Sequence, residues 1–205
     1  DYSGEVLVPL TIKEGSINKP ENYNFSYMLD NGVNSIRITG PKTIIEQVSK
    51  AEYLLEGEAG QPLKLEQSME ISGFPLSFYN DNGEIISAGK AGELSSSFIK
   101  YDTSNMKVNV SVTTESPLKV IPTNGSEECI YDVMISSERA TIIGDPVVLK
   151  TLPALSVDVS QYTEKGNYTK VLSANEVVEI YANLGYKIQL KEENVTLTIK
   201  VDKPV

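Results

Sequence analysis

The stretch Ser35–Val48, with the sequence SIRITGPKTIIEQV, decides the fold. Apolar residues alternate with polar ones up to Gly40, which predicts a half-buried strand. The glycine permits a backbone turn that a Cβ would oppose. Pro41 suits the first position of a helix, and the apolar residues that follow recur at i, i+1 and i+4, one face of a short helix. The stretch therefore predicts a strand, a turn and a short helix.

The same pattern recurs at Arg139–Leu152, RATIIGDPVVLKTL, where Gly144 stands 104 positions after Gly40. Asp145 is placed to cap the second helix, and Gly40 is a weaker but allowed cap for the first. A period near 100 residues indicates tandem domains and not a solenoid. The apolar residues align without a gap: Ile38 with Ile142, Ile44 with Val148, Ile45 with Leu149, Val48 with Leu152, Tyr53 with Val157 and Leu55 with Val159.

The remainder of each copy is rich in predicted strands. Val6–Leu10 and Leu118–Pro122 are predicted opening strands, and the proline in each favours a sheet edge or a strand end. Phe74–Tyr79 and Glu84–Ile86 predict a hairpin, with its turn at Asn80–Gly83.

The closing segments alternate cleanly. Lys107–Val112 and Asn194–Val201 therefore predict strands with one face in a core and one in water. Ser173–Glu176 fits a capping box, so residues 174–184 favour a helix of about three turns over a strand, ended by Gly185. Thr113–Pro117 is interpreted as a short polar linker. The chain is thus predicted to be mainly β, with two small tandem domains, 1–113 and 114–205, each carrying a short helix after a glycine turn.

Composition excludes several function classes. The net charge is −10 and the pI about 4.6, so binding to nucleic acid or to an anionic membrane surface is not expected. Histidine is absent, which excludes Ser–His–Asp and Cys–His catalysis. The single cysteine, Cys129, has acidic neighbours that disfavour a thiolate. We interpret it as a small, half-buried strand residue.

The remaining chemical motifs are weak. A serine three positions before a lysine, as at Ser97 and Ser116, recurs elsewhere in the chain and lacks its companion motifs. Asn80–Glu84 has the oxygen-rich composition of half a calcium loop but is too short for one. The paired carboxylates Glu127–Glu128 and Glu192–Glu193 are expected to be solvated. No catalytic residue, cofactor site or metal site is predicted.

Three further groups of residues are interpreted as ordinary structural positions. The Asn-x-Ser/Thr sequences at Asn24, Asn109, Asn124, Asn167 and Asn194 are taken as polar strand positions. Tyrosines in polar contexts can serve an interface, but half-buried strand positions are more usual; these are Tyr2, Tyr23, Tyr27, Tyr101, Tyr162 and Tyr168. Arg37 and Arg139 lie on equivalent strands, two positions out of register. The alternative to an ordinary surface role for these arginines is a shared contact with an anion.

The motifs together resemble the YbbR-like domain. The resemblance is carried by Ile38–Val48, by Ala51–Glu56, by the hairpin Phe78–Ile85, and in the second copy by Ile142–Gly144 and Leu155–Ser160. Copy one departs from the pattern, because Glu52–Leu55 stands where the family usually has an aspartate. Glu176–Leu184 departs from the family's usual short loop.

The resemblance implies a bacterial protein that one N-terminal membrane helix, outside this segment, anchors with its repeats outside the cytoplasm. It implies a non-enzymatic interaction or regulatory module whose partner is a membrane diadenylate cyclase, the enzyme that makes cyclic di-AMP. The alternative is a cell-surface adhesion or glycan-binding module built from tandem β domains. Contact with the membrane is expected only through the anchor.

Overall fold

The computed structural model describes residues 3–58, 60–72, 76–88, 98–101 and 107–205. The prediction of a mainly β chain is confirmed, since strands far outnumber helices among these residues. The chain divides into two compact units. The first comprises Asp1–Glu21 and Phe25–Val112, and the second comprises Asn22–Asn24 and Thr113–Val205.

The elements of the described residues are named in chain order. The strands are β1 (Ser3–Glu14), β2 (Ile17–Asn18), β3 (Asn24–Leu29), β4 (Ser35–Pro41), β5 (Lys50–Leu55), β6 (Leu63–Lys64), β7 (Met69–Ile71), β8 (Leu76–Tyr79), β9 (Ile85–Ala88), β10 (Lys100–Tyr101), β11 (Val108–Pro117), β12 (Val120–Thr123), β13 (Ile130–Ile135), β14 (Thr141–Gly144), β15 (Leu155–Asp158), β16 (Gly166–Ser173), β17 (Gln189–Leu190) and β18 (Asn194–Asp202). The helices are α1 (Lys42–Ile45), α2 (Pro146–Thr151) and α3 (Ala174–Asn183), and Asp30–Gly32 forms a 3₁₀ turn.

Strand β1 changes its pairing partner half-way along. Ser3–Pro9 pairs antiparallel with β4, whereas Leu10–Glu14 pairs parallel with β5. Pro9 is the last residue of the first pairing. Because β1 lies inside its sheet, the expectation that this proline marks an edge or the end of a strand is wrong. It marks instead the point at which the partner changes.

The second unit repeats this arrangement with the same register. Thr114–Pro117 of β11 pairs antiparallel with β14, and β12 then pairs parallel with β15. Gly4 faces Gly40 in the first unit, and Thr114 faces Gly144 in the second. The internal repeat predicted from sequence therefore extends to the hydrogen-bonding pattern.

The two glycines that define the repeat do not act as predicted. Neither Gly40 nor Gly144 has a positive φ, so neither supports a left-handed turn. Gly40 stays within β4 and pairs with Gly4, and the N-cap of α1 is Pro41, without a side-chain cap bond. The predicted roles of Gly40 as cap and Pro41 as first helical residue are wrong, because strand pairing continues two residues further than the pattern indicated.

The helix starts of the second unit are as predicted. The Asp145 side chain accepts a hydrogen bond from the Val147 N–H at 2.9 Å, and Pro146 follows at the first helical position. Ser173 and Glu176 form both bonds of a capping box at the start of α3. A cap of this kind stabilises a helix by about 1 kcal/mol. Residues 174–183 are helical, and Gly185 follows with a φ of 91°.

Each unit has its own apolar core, and the aligned residues occupy it. Ile38 and Ile142 are fully buried, as are the matched residues of β5 and their partners in β15 or directly after it. The matched pairs are Tyr53 with Val157 and Leu55 with Val159. In β18, alternate residues from Val195 to Val201 are buried, which confirms the predicted one-faced strand.

Two local expectations have different outcomes. Thr113–Pro117 is not a linker: it belongs to β11, and most of it is paired with β14. The hairpin of β8 and β9 is confirmed, with Gly83 at a φ of 77° in its turn; residues 74 and 75 of the predicted first strand lie outside the described residues. Within the described ranges, no helix has the length and apolar character needed to cross a bilayer.

Candidate interaction surface

Charged side chains of both units form exposed pairs on neighbouring strands or turns. Arg37 donates to Glu5 at 2.6 Å, and Lys107 lies 2.9 Å from Glu70. Exposed pairs of this kind contribute little to stability. In the part of the chain that the structure describes, no three His, Cys, Asp or Glu side chains come together as a metal site would require.

Ser97 and Ser116 are two serines that stand three positions before a lysine. Ser116 lies in β11 opposite Ile142 of β14. Ser97 lies outside the described residues.

Arg37 and Arg139 have different surroundings. Arg37 is occupied by Glu5 in β1. Arg139 lines an open groove of the second unit, of about 450 Å³, together with Glu115, Lys191 and Glu192. The Lys191 ammonium lies 2.9 Å from Glu115, so this groove carries both charge signs and offers no cluster of free cations.

Glu192 has a structural role that its sequence context did not predict. It lies in a bend, is half-buried, and accepts a hydrogen bond from the backbone N–H of Thr141 at 2.8 Å. Burial acts to raise the pKa of Glu192, but the backbone and side-chain hydrogen bonds from Thr141 outweigh it and hold the pKa below the ordinary value. The expectation of a fully solvated carboxylate is wrong here, whereas Glu127 and Glu128 are exposed as predicted.

Replacing Glu192 by alanine is expected to lower the free energy of unfolding by about 1 kcal/mol at pH 7. The stabilisation belongs to the ionised carboxylate, so it is present above the ordinary glutamate pKa and is lost as the pH falls through the lowered pKa of the folded state. Urea unfolding of the native chain and of Glu192→Ala between pH 3 and pH 7 checks this, with Glu193→Ala as the matched control. If the difference in free energy of unfolding between the native chain and Glu192→Ala does not narrow at low pH, the prediction is contradicted.

Cys129 and the tyrosines near it form a packed end of the second unit. Cys129 is half-buried and lies one residue before β13, with its Sγ 3.5 Å from the Thr163 carbonyl oxygen. Tyr131 donates to the Tyr162 carbonyl oxygen at 2.7 Å. The Tyr162 and Tyr168 rings pack in a tilted arrangement, with centroids 4.8 Å apart and an interplanar angle of 38°. Cys129, Tyr162 and Tyr168 are half-buried as predicted, but the expectation of a strand position is wrong for Cys129 and Tyr162, which lie in loops.

The other tyrosines and asparagines also have structural settings. Tyr23, Tyr27 and Tyr101 are half-buried, and Tyr2 lies outside the described residues. Asn80 closes the hairpin turn by accepting from the N–H groups of Asn82 and Glu84 at 3.0 and 2.9 Å. The Asn-x-Ser/Thr asparagines lie on strands except for Asn124, which follows β12 with a φ of 58°.

The sheet of β13, β18 and β16 exposes a face with few charges, called here the outer face. Its side chains alternate with those buried in the core. Met134, Thr198 and Thr169 form one row across the three strands, and Thr196 and Val171 form the next. The outer face comprises these five residues, and the next row, formed by Asp132, Lys200 and Asn167, bounds it.

The outer face is apolar enough to serve as a contact surface. Met134 and Val171 are 51% and 56% exposed. Charged side chains border it on one side, where Asp132 faces Lys200. A patch whose centre lacks charged residues and whose rim carries them has the composition of a protein interface. From sequence alone, the residues of the outer face are visible only as the positions of alternating strands that point away from the core.

Comparison with known proteins gives structural likenesses. A YbbR-like protein from Streptococcus pneumoniae TIGR4 matches at 15% identity and a TM-score of 0.30, covering 99% of this chain and 96% of that one. SuR18C from Streptococcus thermophilus, a solution structure, matches at 14% identity and a TM-score of 0.30, covering 45% of this chain and 86% of that one. No family model and no curated protein matches the chain.

The first neighbour carries the family name that the sequence motifs suggest. The chain resembles YbbR-like proteins. At this identity and TM-score the match is a likeness between folds and assigns no function.

Proposed function

We propose that this chain is a non-enzymatic interaction module from a bacterial protein anchored in the cell membrane, with residues 1–113 and 114–205 as two YbbR-like domains outside the cytoplasm. The repeated register of the two units supports the tandem domains. The charged groups described above are used in pairs, in caps and in loop contacts, which supports a role without catalysis. The resemblance to YbbR-like proteins supports the location.

The outer face carries the proposal of protein contact. It combines exposed apolar side chains with threonines on a regular three-stranded sheet, and a partner can cover it without burying an unpaired charge. The partner that the family resemblance indicates is a membrane diadenylate cyclase. On this proposal, contact between the module and the cyclase changes the rate of cyclic di-AMP synthesis.

Surface adhesion or glycan binding is the second candidate. Sugar-binding sites use exposed aromatic rings, and the described tyrosines are half-buried or buried. Tyr162 and Tyr168 use ring surface on each other. These contacts favour protein contact over glycan binding.

The test measures cyclic di-AMP in a host that co-expresses the membrane diadenylate cyclase of the same organism. The compared arms are the full protein in its anchored form, this chain exported alone, and an empty vector. The anchored protein is expected to change the cyclic di-AMP level at least twofold. The exported chain shows whether these two units suffice, and an unchanged level in both arms would overturn the cyclase proposal.

A substitution in the outer face assigns the effect to that surface. Met134→Lys places a charge in its uncharged centre, and we expect it to remove at least half of the change in cyclic di-AMP. Val147→Lys is the matched control, since Val147 is 46% exposed and lies on α2, away from the outer face. Circular dichroism of both variants confirms folding. Equal effects of the two substitutions would contradict a role for the outer face.

A further inference from the structure

The partner change in β1 leaves one edge of that strand open. Leu10 donates its N–H to the Asn34 carbonyl oxygen, on the side of β4, whereas Gly15 donates to Leu55 of β5. Backbone groups alternate in direction along a strand, so Ile12 and Glu14 point their N–H and C=O groups away from β5. Strand β4 pairs with β1 only as far as Pro9. Among the described residues, no strand pairs with this edge beyond Leu10.

A second strand lies across from this edge. In β3 the Asp30 N–H donates to Lys107, on the side of β11, so Leu29 and Tyr27 direct their backbone groups to the opposite side. Strand β3 is the last strand of its sheet. The Tyr27 hydroxyl donates to the Glu14 carboxylate at 2.6 Å and joins the two strands near the end of β1.

An apolar groove separates the two strands. It has a volume of about 380 Å³ and is lined by Leu10, Thr11, Ile12, Tyr27, Met28, Leu29, Gly32 and Val33. We call it the strand-edge groove. Met28 is 64% exposed beside it. From Leu10 to Glu14 the edge is about 13 Å long, which matches four residues of an extended chain.

We propose that the strand-edge groove binds an extended segment of a partner protein as an added strand along Leu10–Glu14. Unpaired backbone groups on a strand edge pair with an added peptide strand, and side-chain pockets then select alternate residues. The lining selects apolar side chains at alternate positions. The net charge of −10 favours basic residues at the flanks of the segment. This inference rests on the proposed function as an interaction module and adds to that module a second contact surface besides the outer face.

The groove is tested with a peptide of this chemistry, acetyl-KVTVTVK-amide, and amide hydrogen exchange measured by NMR on the full chain. Binding is expected to slow exchange of the Ile12 N–H at least tenfold. Thr11 and Lys13 point toward β5 and serve as internal controls whose exchange changes little. Protection of other amides without protection of Ile12 would overturn the proposal.

Two control peptides and two variants sharpen the result. KVTPTVK, whose central proline lacks a backbone N–H donor, is expected to bind at least fivefold more weakly than KVTVTVK. EVTVTVE is also expected to bind at least fivefold more weakly, because its glutamates are repelled by the acidic chain. Met28→Lys should weaken KVTVTVK at least fivefold. Leu7→Lys should not, because Leu7 is similarly exposed on β1 but lies outside the groove. Equal binding of all peptides, or equal effects of the two substitutions, would overturn the site.

The peptide experiment and the cyclic di-AMP experiment fail independently. Loss of peptide binding with an intact cyclic di-AMP response removes the strand-edge groove and leaves the proposed function standing. Peptide binding without any cyclic di-AMP response keeps the groove as a peptide site and removes the cyclase as the partner.

Discussion

Gly40→Ala is expected to lower the free energy of unfolding by about 3 kcal/mol or more, whereas Gly144→Ala lowers it by about 1 kcal/mol or less. A Cβ at residue 40 would overlap the backbone carbonyl oxygen of Phe98 and lie 3.2 Å from Ile45 Cγ2. A Cβ at residue 144 would meet the flexible end of Leu149 at 3.1 Å and Ile188 at 3.4 Å. Side chains can shift by a few tenths of an ångström, but a backbone carbonyl in a packed unit cannot shift as cheaply.

Urea unfolding followed by circular dichroism measures both variants. Amide exchange in each unit shows which of them is destabilised. The two glycines occupy equivalent positions of the repeat, so each serves as the control for the other. Equal costs would mean that both glycines are required by the strand itself, and that the approach of Phe98 has no special role.

Tyr181→Phe is expected to cost about 2 kcal/mol, whereas Tyr53→Phe is expected to be neutral or to stabilise by up to about 1 kcal/mol. Both tyrosines are 1% exposed, and burial raises the pKa of each to about 12. The Tyr181 hydroxyl donates to the Pro153 carbonyl oxygen at 2.8 Å. The Tyr53 hydroxyl is buried without a hydrogen-bond partner among the residues that the structure describes.

The physical reason is the difference between a satisfied and an unsatisfied buried group. Removing the Tyr181 hydroxyl leaves a carbonyl without its donor, while removing the Tyr53 hydroxyl takes away a group whose burial already costs free energy. Thermal unfolding of the two single variants checks the signs. A loss of stability in Tyr53→Phe as large as in Tyr181→Phe would contradict the assignment.

The parts of this molecule that sequence predicts well are local ones. The caps at Asp145 and Ser173 each involve residues within three positions, and their side-chain chemistry leaves few alternatives. The alignment of Gly40 with Gly144 predicts the repeat because the apolar spacing on both sides is kept. Period-two alternation likewise predicts the buried face of β18.

The parts that sequence predicts poorly depend on distant partners. The hydrogen bond from Thr141 to Glu192 joins residues 51 positions apart. The sequence around Glu192 does not indicate that its carboxylate accepts this bond. The predicted roles of Gly40 and Pro41 are wrong because pairing with β1 extends β4 beyond the point where the alternation of apolar and polar residues ends. The strand-edge groove arises from where two strands stop pairing, which alternation of residues does not encode.

The shared register also shows how the two units can diverge in length. Between the facing residues there are 36 positions from Gly4 to Gly40 and 30 from Thr114 to Gly144. The entropy of closing these two loops differs by only about 0.2 kcal/mol. Residues can therefore be inserted or deleted between β1 and β4, or between β12 and β14, at little entropic cost, while the ladder of paired residues resists change. The segment between those strands is therefore where the two units are free to carry different binding surfaces.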